Sequence, residues 1–298
     1  MAHIPVLLEE TIKGLHLKPG AVYVDGTLGS GGHALAVHEA LKGDVAIIGF
    51  DREQDALKRS KKLLESVGAE PILINDSFRN IAVRVAEHDF ETVDAVLMDI
   101  GISSVQLDDS GRGFTFQKDE PLLMTMEDEI IPDVTLTAAD LVNSSSEEAL
   151  ANIIYAYGEE TFARRIAKGI VEAREIAPIE TTFQLVEAIL NALPARFRKS
   201  KTNPATKTFQ ALRIAVNDEL GALKEGIEGA FKVLAPGGRL AVITFHSLED
   251  RIVKNAFKEF HSEKKGNLIT KKPVAPSAKE LKSNPRSRSA KLRVIEKL

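Results

Sequence analysis

The 298-residue sequence contains no cysteine and no tryptophan, and only 5% of its residues are aromatic. Without cysteine the chain has neither disulfide bonds nor thiolate metal sites. The scarcity of aromatic rings argues against a platform on which nucleic-acid bases stack. His3, His16 and His88 have no partners at metal-ligand spacing, so we expect no metal site.

Long apolar runs are also missing. No stretch approaches the roughly 20 apolar residues that span a bilayer. The first residues, Met1 to Val6, lack the basic end and the apolar run of a signal peptide. The sequence therefore predicts a cytoplasmic protein with no membrane partner.

The net charge of −4 conceals an uneven distribution. Residues 196–298 hold 23 Lys and Arg against 10 Asp and Glu, whereas residues 1–195 hold 16 against 33. A basic C-terminal third on an acidic body indicates a polyanion-binding face. A solvated, lysine-rich surface explains the same counts equally well.

Short apolar segments alternate with helical patterns in the first hundred residues and again near the C-terminus. This alternation predicts an α/β fold in which a parallel sheet is built through crossover connections. The predicted strands are 21–25, 45–50, 71–74, 93–98, 239–245, 268–272 and 292–296.

The middle of the chain has a different pattern, since residues 135–195 show helical periodicity and contain no convincing strand. Capping boxes predict helix starts at Ser144 and Thr181, and one long helix is predicted over 208–234. The sequence therefore predicts a helical insertion that interrupts a discontinuous α/β core. We set the core at 1–108 and 206–298, and the insertion at 109–205.

A glycine-rich motif, Asp25-Gly-Thr-Leu-Gly-Ser-Gly-Gly-His33, directly follows the first predicted strand. Glycines allow a ligand to approach the backbone closely, and Asp51 ends the second strand, where a carboxylate binds ribose hydroxyls. The spacing of Gly29, Gly31 and Ala34 also satisfies a loose dinucleotide fingerprint, so a nicotinamide-dependent oxidoreductase is a rival interpretation. The carboxylate of Asp25 suits the ammonium group of a bound methionine moiety, which favours S-adenosylmethionine as the ligand. A third interpretation of the motif is a structural turn that binds no ligand.

A second motif, Asp99-Ile-Gly-Ile-Ser-Ser104, follows the fourth strand. Ligands of open α/β sheets bind beyond the carboxyl ends of strands, which places Asp99 between cofactor and substrate. A carboxylate there accepts a hydrogen bond from an exocyclic amine and orients its lone pair, without a covalent intermediate. The alternative is an aspartate that caps the next turn.

Two further motifs carry polar and basic side chains. Phe245-His-Ser-Leu-Glu-Asp-Arg251 follows a predicted strand and is placed to contact substrate. Alternatively, His246 is a structural histidine and Ser247 caps a helix. Asn284-Pro-Arg-Ser-Arg-Ser-Ala-Lys-Leu-Arg293 combines bidentate phosphate donors with small residues, which is typical of RNA contact or of a solvated basic segment.

Together these motifs resemble, over essentially the whole chain, the bacterial 16S ribosomal RNA cytosine-N4 methyltransferases known as RsmH or MraW. Further matching segments are His3-Ile-Pro-Val-Leu-Leu-Glu9, the segment from Asp99 to Asp108, Arg112-Gly-Phe-Thr-Phe116, Tyr157-Gly-Glu-Glu160, Asn203-Pro-Ala-Thr-Lys-Thr-Phe-Gln-Ala-Leu-Arg213 and Pro236-Gly-Gly-Arg239. The lack of cysteine is consistent with methylation at the cytosine N4 amine, since methylation at cytosine C5 normally needs a cysteine nucleophile.

The resemblance implies a class I methyltransferase core with a mainly parallel seven-stranded sheet, and a helical insertion that recognises substrate. It implies methyl transfer from S-adenosylmethionine to the N4 amine of a cytosine in 16S rRNA. The cofactor contacts implied by matching position are Gly31, Gly32, His33, Asp51, Phe78, Asp99 and Gln106, to which the strand-end argument adds Asp25 and Gly29. The expected catalytic residues are Asp99, Ser103 and Ser104, and the expected RNA contacts are Arg112, Lys207, Arg213, His246, Arg286, Arg288 and Arg293.

The sequence departs from the family pattern in one segment. Leu123 and Thr125 stand where the family usually has an acidic and a basic residue, and Lys207 replaces a frequent arginine. An RNA-binding or ribosome-assembly protein that has lost its chemistry is therefore the rival non-enzyme hypothesis. The sequence leaves open whether the protein forms a homodimer, and whether free RNA or the small ribosomal subunit is the substrate.

Overall fold

The computed structural model describes residues 4–127, 129–198 and 203–298, and at Ser104 the backbone alone. His3 of the matching N-terminal motif lies outside the described residues. The chain forms two compact units, a sheet unit of Met1–Gly101 with Leu220–Leu298 and a helical unit of Ile102–Glu219. In the described parts of both units, no helix is long and apolar enough to cross a membrane.

The sheet unit is built on seven strands in the order β3-β2-β1-β4-β5-β7-β6. The first five strands run parallel, and β7 is antiparallel to both of its neighbours. The predicted α/β class with a mainly parallel seven-stranded sheet is confirmed. The strands are β1 (Ala21–Asp25), β2 (Val45–Asp51), β3 (Ile72–Asn75), β4 (Val93–Asp99), β5 (Leu234–Thr244), β6 (Gly266–Leu268) and β7 (Lys291–Lys297).

Both faces of the sheet are covered, because side chains alternate along each strand. Tyr23 of β1 packs into the core on one face and the adjacent Val24 into the core on the other. The helices that contribute to the Tyr23 face are α1 (Leu8–Leu15), α2 (Gly32–Ala40) and α3 (Gln54–Glu65). Those on the Val24 face are α4 (Ile81–Glu87), α11 (Glu219–Val233) and α12 (Ser247–Ser262), and the short α13 (Ala278–Ser283) precedes β7.

The helical unit has its own core, in which Leu150, Ile166 and Leu185 are fully buried. Its helices are α5 (Ser104–Asp108), α6 (Ala138–Ser144), α7 (Glu147–Gly158), α8 (Ala163–Ile176), α9 (Thr182–Ala192) and α10 (Thr206–Asn217). Phe209 and Leu212 of α10 belong to this core. The helical unit spans Ile102–Glu219 and so includes α10, and the bounds of 109 and 205 set from the sequence for the insertion stay a prediction.

Local capping decides where the helices begin and end. The capping box at Thr181 is confirmed, but the one predicted at Ser144 is wrong. Ser146 caps α7 by accepting the backbone N–H of Ala149, whereas Ser144 ends α6. The single helix predicted over 208–234 is also wrong, because Asp218 adopts a left-handed conformation (φ 46°) that separates α10 from α11.

Candidate active site

Three aspartates meet at the carboxyl edge of the sheet, because β2, β1 and β4 are adjacent and parallel. Asp25 is the last residue of β1, Asp51 of β2 and Asp99 of β4. This edge is where ligands bind in open α/β sheets. The sequence-based prediction that these carboxylates share one end of the sheet is therefore met by the topology.

The glycine-rich turn connects β1 to α2 and contacts the end of β2. Gly29 (φ 53°) and Gly31 (φ 79°) both take left-handed conformations, which glycine adopts without steric cost. The N–H of Gly29 donates to Asp51 Oδ2 at 2.8 Å, and that of Leu28 donates to the Phe50 carbonyl. These bonds fix the path of the turn beside the Asp51 carboxylate.

Asp25 is almost fully buried beneath the turn, with 1% of its surface exposed. Its carboxylate accepts hydrogen bonds from the Tyr23 hydroxyl at 3.0 Å and from the Thr27 N–H at 3.1 Å. Burial and, to a smaller extent, the nearby Asp51 carboxylate raise the pKa of Asp25 to about 6, against the opposing effect of these two hydrogen bonds. A cation bound close by would offset this cost of burying the charge.

Asp51 has a different environment, because both of its oxygens already accept backbone hydrogen bonds. Oδ2 accepts from Gly29 and Oδ1 accepts from Glu53 at 2.9 Å. Burial raises the pKa of Asp51, and these two bonds oppose the rise. Each oxygen keeps a second lone pair, which suits a pair of hydroxyl donors.

Asp99 differs from the other two aspartates of this edge in the hydrogen bonding of its side chain. Its backbone N–H donates to Thr27 Oγ1 at 2.7 Å, but its Oδ1 is buried without a hydrogen-bond partner among the described residues. Burial raises the pKa of Asp99 to about 8, with further contributions from the charges of Asp25 and Glu249. A buried, unpaired carboxylate oxygen is costly, and such groups mark functional sites.

His33 lies against Asp99 on the opposite side from the unpaired oxygen. Its Nδ1 is 3.8 Å from Asp99 Oδ2, and its Nε2 is 3.0 Å from the carbonyl oxygen of Val6. Because a carbonyl only accepts, Nε2 carries the proton in this contact. The Nδ1 atom of the ring then faces the carboxyl group of Asp99.

Three glycines make room for the remaining residues of this edge. A Cβ on Gly32 would lie 2.5 Å from Pro5 Cγ, so only glycine permits the N-terminal residues to pack on the turn. A Cβ on Gly226 would lie 2.5 Å from the Phe78 ring, and one on Gly26 would lie 3.2 Å from Phe78 Cβ. Phe78 thus lies beside the turn, as the resemblance implied.

The end of β5 carries His246 and Glu249. His246 caps α12 by accepting the N–H of Glu249 at its Nδ1, while Glu249 Oε2 accepts the N–H groups of Phe245 and His246. The sequence left two interpretations of His246 open, a substrate contact and a structural histidine. The contacts observed are those of a structural histidine that caps a helix. Ser247 is the first residue of α12 rather than its cap.

Ser103 and Gln106 belong to the helical unit, where they form a reciprocal capping box at the start of α5. Ser103 Oγ accepts the Gln106 N–H at 3.1 Å, and Gln106 Oε1 accepts the Ser103 N–H at 2.9 Å. The side chain of Ser104 lies outside the described residues. The contacts observed here are those of a helix cap.

The predicted RNA-contacting residues of the sheet unit divide into two kinds. Arg286 and Arg288 are exposed in the 3₁₀ segment Pro285–Ser289. Arg293 is 7% exposed in β7, and its Nε donates to Asp250 Oδ1 at 2.7 Å. Its guanidinium is therefore engaged within the protein.

The three predicted RNA contacts in the helical unit also make internal bonds. Arg213 pairs with Glu219 through two hydrogen bonds of 2.8 Å. Arg112 donates to the carbonyls of Thr125 and Glu127, and Lys207 Nζ donates to the Glu159 carbonyl at 2.9 Å. The side chain of Arg213 is 12% exposed, whereas Lys207 is an exposed residue.

The segment that departs from the family pattern is anchored through its backbone. Asn217 donates to the Met124 carbonyl at 2.7 Å and accepts the Met126 N–H at 2.8 Å. Thr125 is 2% exposed, and its Oγ1 accepts the N–H of Glu127. A small neutral side chain thus fills a buried position where the family usually has a basic one.

Sequence reasoning missed Thr27 and Tyr23. Thr27 joins β1 to β4 by donating to Asp25 and accepting from Asp99, and Tyr23 donates to Asp25 from within the core. Thr27 lies inside the glycine motif, so its position was a usable signal. In the sequence Tyr23 has the pattern of an ordinary apolar strand residue, and no local pattern indicates that its hydroxyl would bind Asp25.

A sheet of this order, with a glycine-rich turn after β1 and carboxylates ending β1, β2 and β4, defines a class I S-adenosylmethionine-dependent methyltransferase. The chain belongs to the MraW methylase family, whose model matches residues 1–298. The family expected from the sequence is confirmed. Of the interpretations of the glycine motif, the family supports the methyltransferase over the nicotinamide-dependent oxidoreductase.

Curated relatives match from end to end. The chain is 48% identical to the ribosomal RNA small subunit methyltransferase H of Carboxydothermus hydrogenoformans, over 100% of this chain and 98% of the relative. It is 49% identical to the protein of the same name from Symbiobacterium thermophilum, over 99% and 96%. A solved methyltransferase homolog protein from Pyrococcus horikoshii aligns at 14% identity with a TM-score of 0.47, over 99% of this chain and 68% of its own.

Proposed function

We propose that this protein transfers a methyl group from S-adenosylmethionine to the exocyclic N4 amine of a cytosine in the 16S rRNA of the small ribosomal subunit. The observation that carries the proposal is the buried, unpaired Oδ1 of Asp99 at the carboxyl edge of the sheet. The names of the full-length relatives support ribosomal RNA as the substrate. The proposal includes a cytoplasmic location for this activity.

The residues of the sheet unit suit this cofactor. Asp51 retains acceptor capacity for the two ribose hydroxyls, and the backbone at Gly29 is partly exposed. Asp25 and Asp99 are buried carboxylates whose raised pKa values a neighbouring cation would lower. S-adenosylmethionine supplies such cations in its ammonium and sulfonium groups, and its chemistry is the donation of an electrophilic methyl group.

Asp99 is the residue we assign to the substrate amine. Its Oδ1 accepts a hydrogen bond from the amine and so orients the nitrogen lone pair, while Thr27 fixes the backbone of Asp99 and His33 lies 3.8 Å from the other carboxyl oxygen. No covalent intermediate is needed, in keeping with a chain that lacks cysteine. The cytosine must leave its stack to reach a buried group, so the proposal includes an extruded base.

Substrate recognition is assigned to two regions. Residues 109–205 are proposed to recognise RNA shape. Ser103 and Ser104 are proposed as catalytic residues, Gln106 as a cofactor contact, and Arg112 and Lys207 as RNA contacts. The exposed Arg286 and Arg288 are proposed to bind phosphates, for which their planar guanidinium groups are suited. Arg213, His246 and Arg293 are assigned to structure instead, because their side chains are at most 12% exposed in addition to making internal contacts.

The test is nucleoside mass spectrometry of small-subunit RNA from cells that lack this gene, complemented with wild type, Asp99→Ala or the exposed control Asp44→Asn. We expect N4-methylcytidine to be restored by wild type and by the control, but not by Asp99→Ala. Restoration by Asp99→Ala would refute the role of Asp99. An RNA that wild type binds but leaves unmethylated would instead support the non-enzyme hypothesis.

A further inference from the structure

The N-terminal segment, residues 4–7, is held by the segment that precedes β7. Glu280 of α13 accepts the Leu7 N–H at its Oε1 at 2.8 Å, and Asn284 Nδ2 donates to the Ile4 carbonyl at 3.1 Å. These contacts join parts of the chain that are more than 270 positions apart. Both bond the backbone of the N-terminal segment, so they fix its path.

The backbone of this segment is held in an unfavourable conformation. Leu7 has φ 52° and ψ 38°, a left-handed geometry that costs energy for any residue with a Cβ. It is fully buried, its N–H is bound by Glu280, and its carbonyl accepts the N–H of Thr11 in α1. Residues keep such geometry only where their surroundings impose it.

The opposite side of the same segment contacts the glycine turn. Pro5 packs on Gly32, where any Cβ would lie 2.5 Å from its Cγ. The next residue, Val6, offers its carbonyl to His33 Nε2 at 3.0 Å, and His33 Nδ1 lies 3.8 Å from Asp99 Oδ2. A continuous set of contacts therefore runs from Glu280 and Asn284 through residues 4–7 to His33 and Asp99.

We infer that Glu280 and Asn284 are positioning residues for the methyl-transfer site. By holding residues 4–7 on the glycine turn, they fix the ring of His33 with its proton on Nε2 and its Nδ1 towards Asp99. Neither residue touches cofactor or substrate in this assignment. The inference rests on the proposed function only where cofactor binding is the readout.

The first test needs no cofactor. Nitrogen-15 spectra of the histidine rings report which ring nitrogen carries the proton, and a His33→Gln variant assigns the His33 signals. We expect wild type and the surface control Glu263→Gln to show the Nε2-protonated form. Glu280→Ala and Asn284→Ala should shift His33 towards a mixture of both forms, and Glu280→Gln, which keeps an acceptor oxygen, should retain the wild-type form.

The second test is a double-mutant cycle on the affinity for S-adenosylmethionine, measured by calorimetry. We expect Glu280→Ala to weaken binding about tenfold, the order of effect when a hydrogen bond to a charged group is lost. In a His33→Ala background the same change should weaken binding less than about twofold, because its effect passes through His33.

The outcomes separate the inference from the proposed function. Unchanged His33 spectra in both Glu280→Ala and Asn284→Ala, or a full tenfold effect of Glu280→Ala without His33, would overturn the inference. If wild type fails to bind S-adenosylmethionine, the proposed function falls while the nitrogen-15 test still decides the positioning role. Should Glu280→Ala not fold, Asn284→Ala carries both tests, since it removes only the bond to Ile4.

Discussion

Cofactor binding should tighten as the pH rises towards 8, because of Asp99. The pKa of this carboxyl is raised to about 8, so it is mostly protonated at neutral pH in the free protein. The cations of S-adenosylmethionine favour the ionised form. Binding must therefore release a proton from Asp99, and the affinity depends on the ionised fraction.

The size of the effect follows from that fraction. With a pKa of about 8, roughly 1% of Asp99 is ionised at pH 6 and half at pH 8, so the Kd should fall about 50-fold between them. At pH 7, about 0.9 proton should be released per cofactor bound. Asp25, with its pKa raised only to about 6, is largely ionised over the upper part of this range.

Calorimetry with S-adenosylmethionine in buffers of different ionisation enthalpy measures both quantities. Asp99→Asn should bind more weakly and lose most of the pH dependence, while the exposed control Asp44→Asn should follow wild type. A wild-type Kd that is constant over this range, or an Asp99→Asn profile as steep as that of wild type, would refute the reasoning.

Two further predictions concern the cofactor-free protein. The pKa of Asp25 is about 6 in the folded protein, above its ordinary value of 3.8, so folding favours the protonated carboxyl. Asp25 therefore contributes its full stabilisation below pH 3.8, and this stabilisation is lost as the pH rises through 6. Asp25→Asn should therefore raise the free energy of unfolding at pH 7.5 by about 3 kcal/mol, measured by urea denaturation, and a value below wild type would contradict this. Thr27→Val should lower the same free energy by about 1–3 kcal/mol, because the Asp99 N–H loses its acceptor, while Thr27→Ser should stay near wild type. Equal stability of the valine and serine variants would show that this bond is unimportant.

The sheet and its functional edge could be predicted because short-range patterns specify them. Each parallel strand is a compact apolar run, and in β1, β2 and β4 the run ends at an aspartate. Once the strands are recognised, parallel topology alone brings these three residues together. The predicted start of β1 and the predicted cap at Thr181 likewise depend on neighbouring residues only.

Other features escaped prediction because they depend on distant partners or on competition between similar signals. Ser144 and Ser146 are both good helix caps, and the structure uses Ser146. The break at Asp218 carries no glycine or proline to announce it. The bonds of Glu280 and Asn284 to residues 4–7 span nearly the whole chain, so no local pattern could reveal them.

The anchoring of residues 124–126 by Asn217 has a consequence for how this enzyme can diverge. Asn217 binds a carbonyl and an N–H, groups that every amino acid other than proline provides in the same form. The route of the segment is therefore insensitive to which side chains it carries, and substitutions such as Leu123 and Thr125 can accumulate without redirecting the chain. The side chains of this segment can therefore change in evolution while its backbone path stays the same. A change at Asn217, in contrast, would alter that path whichever side chains the segment carries.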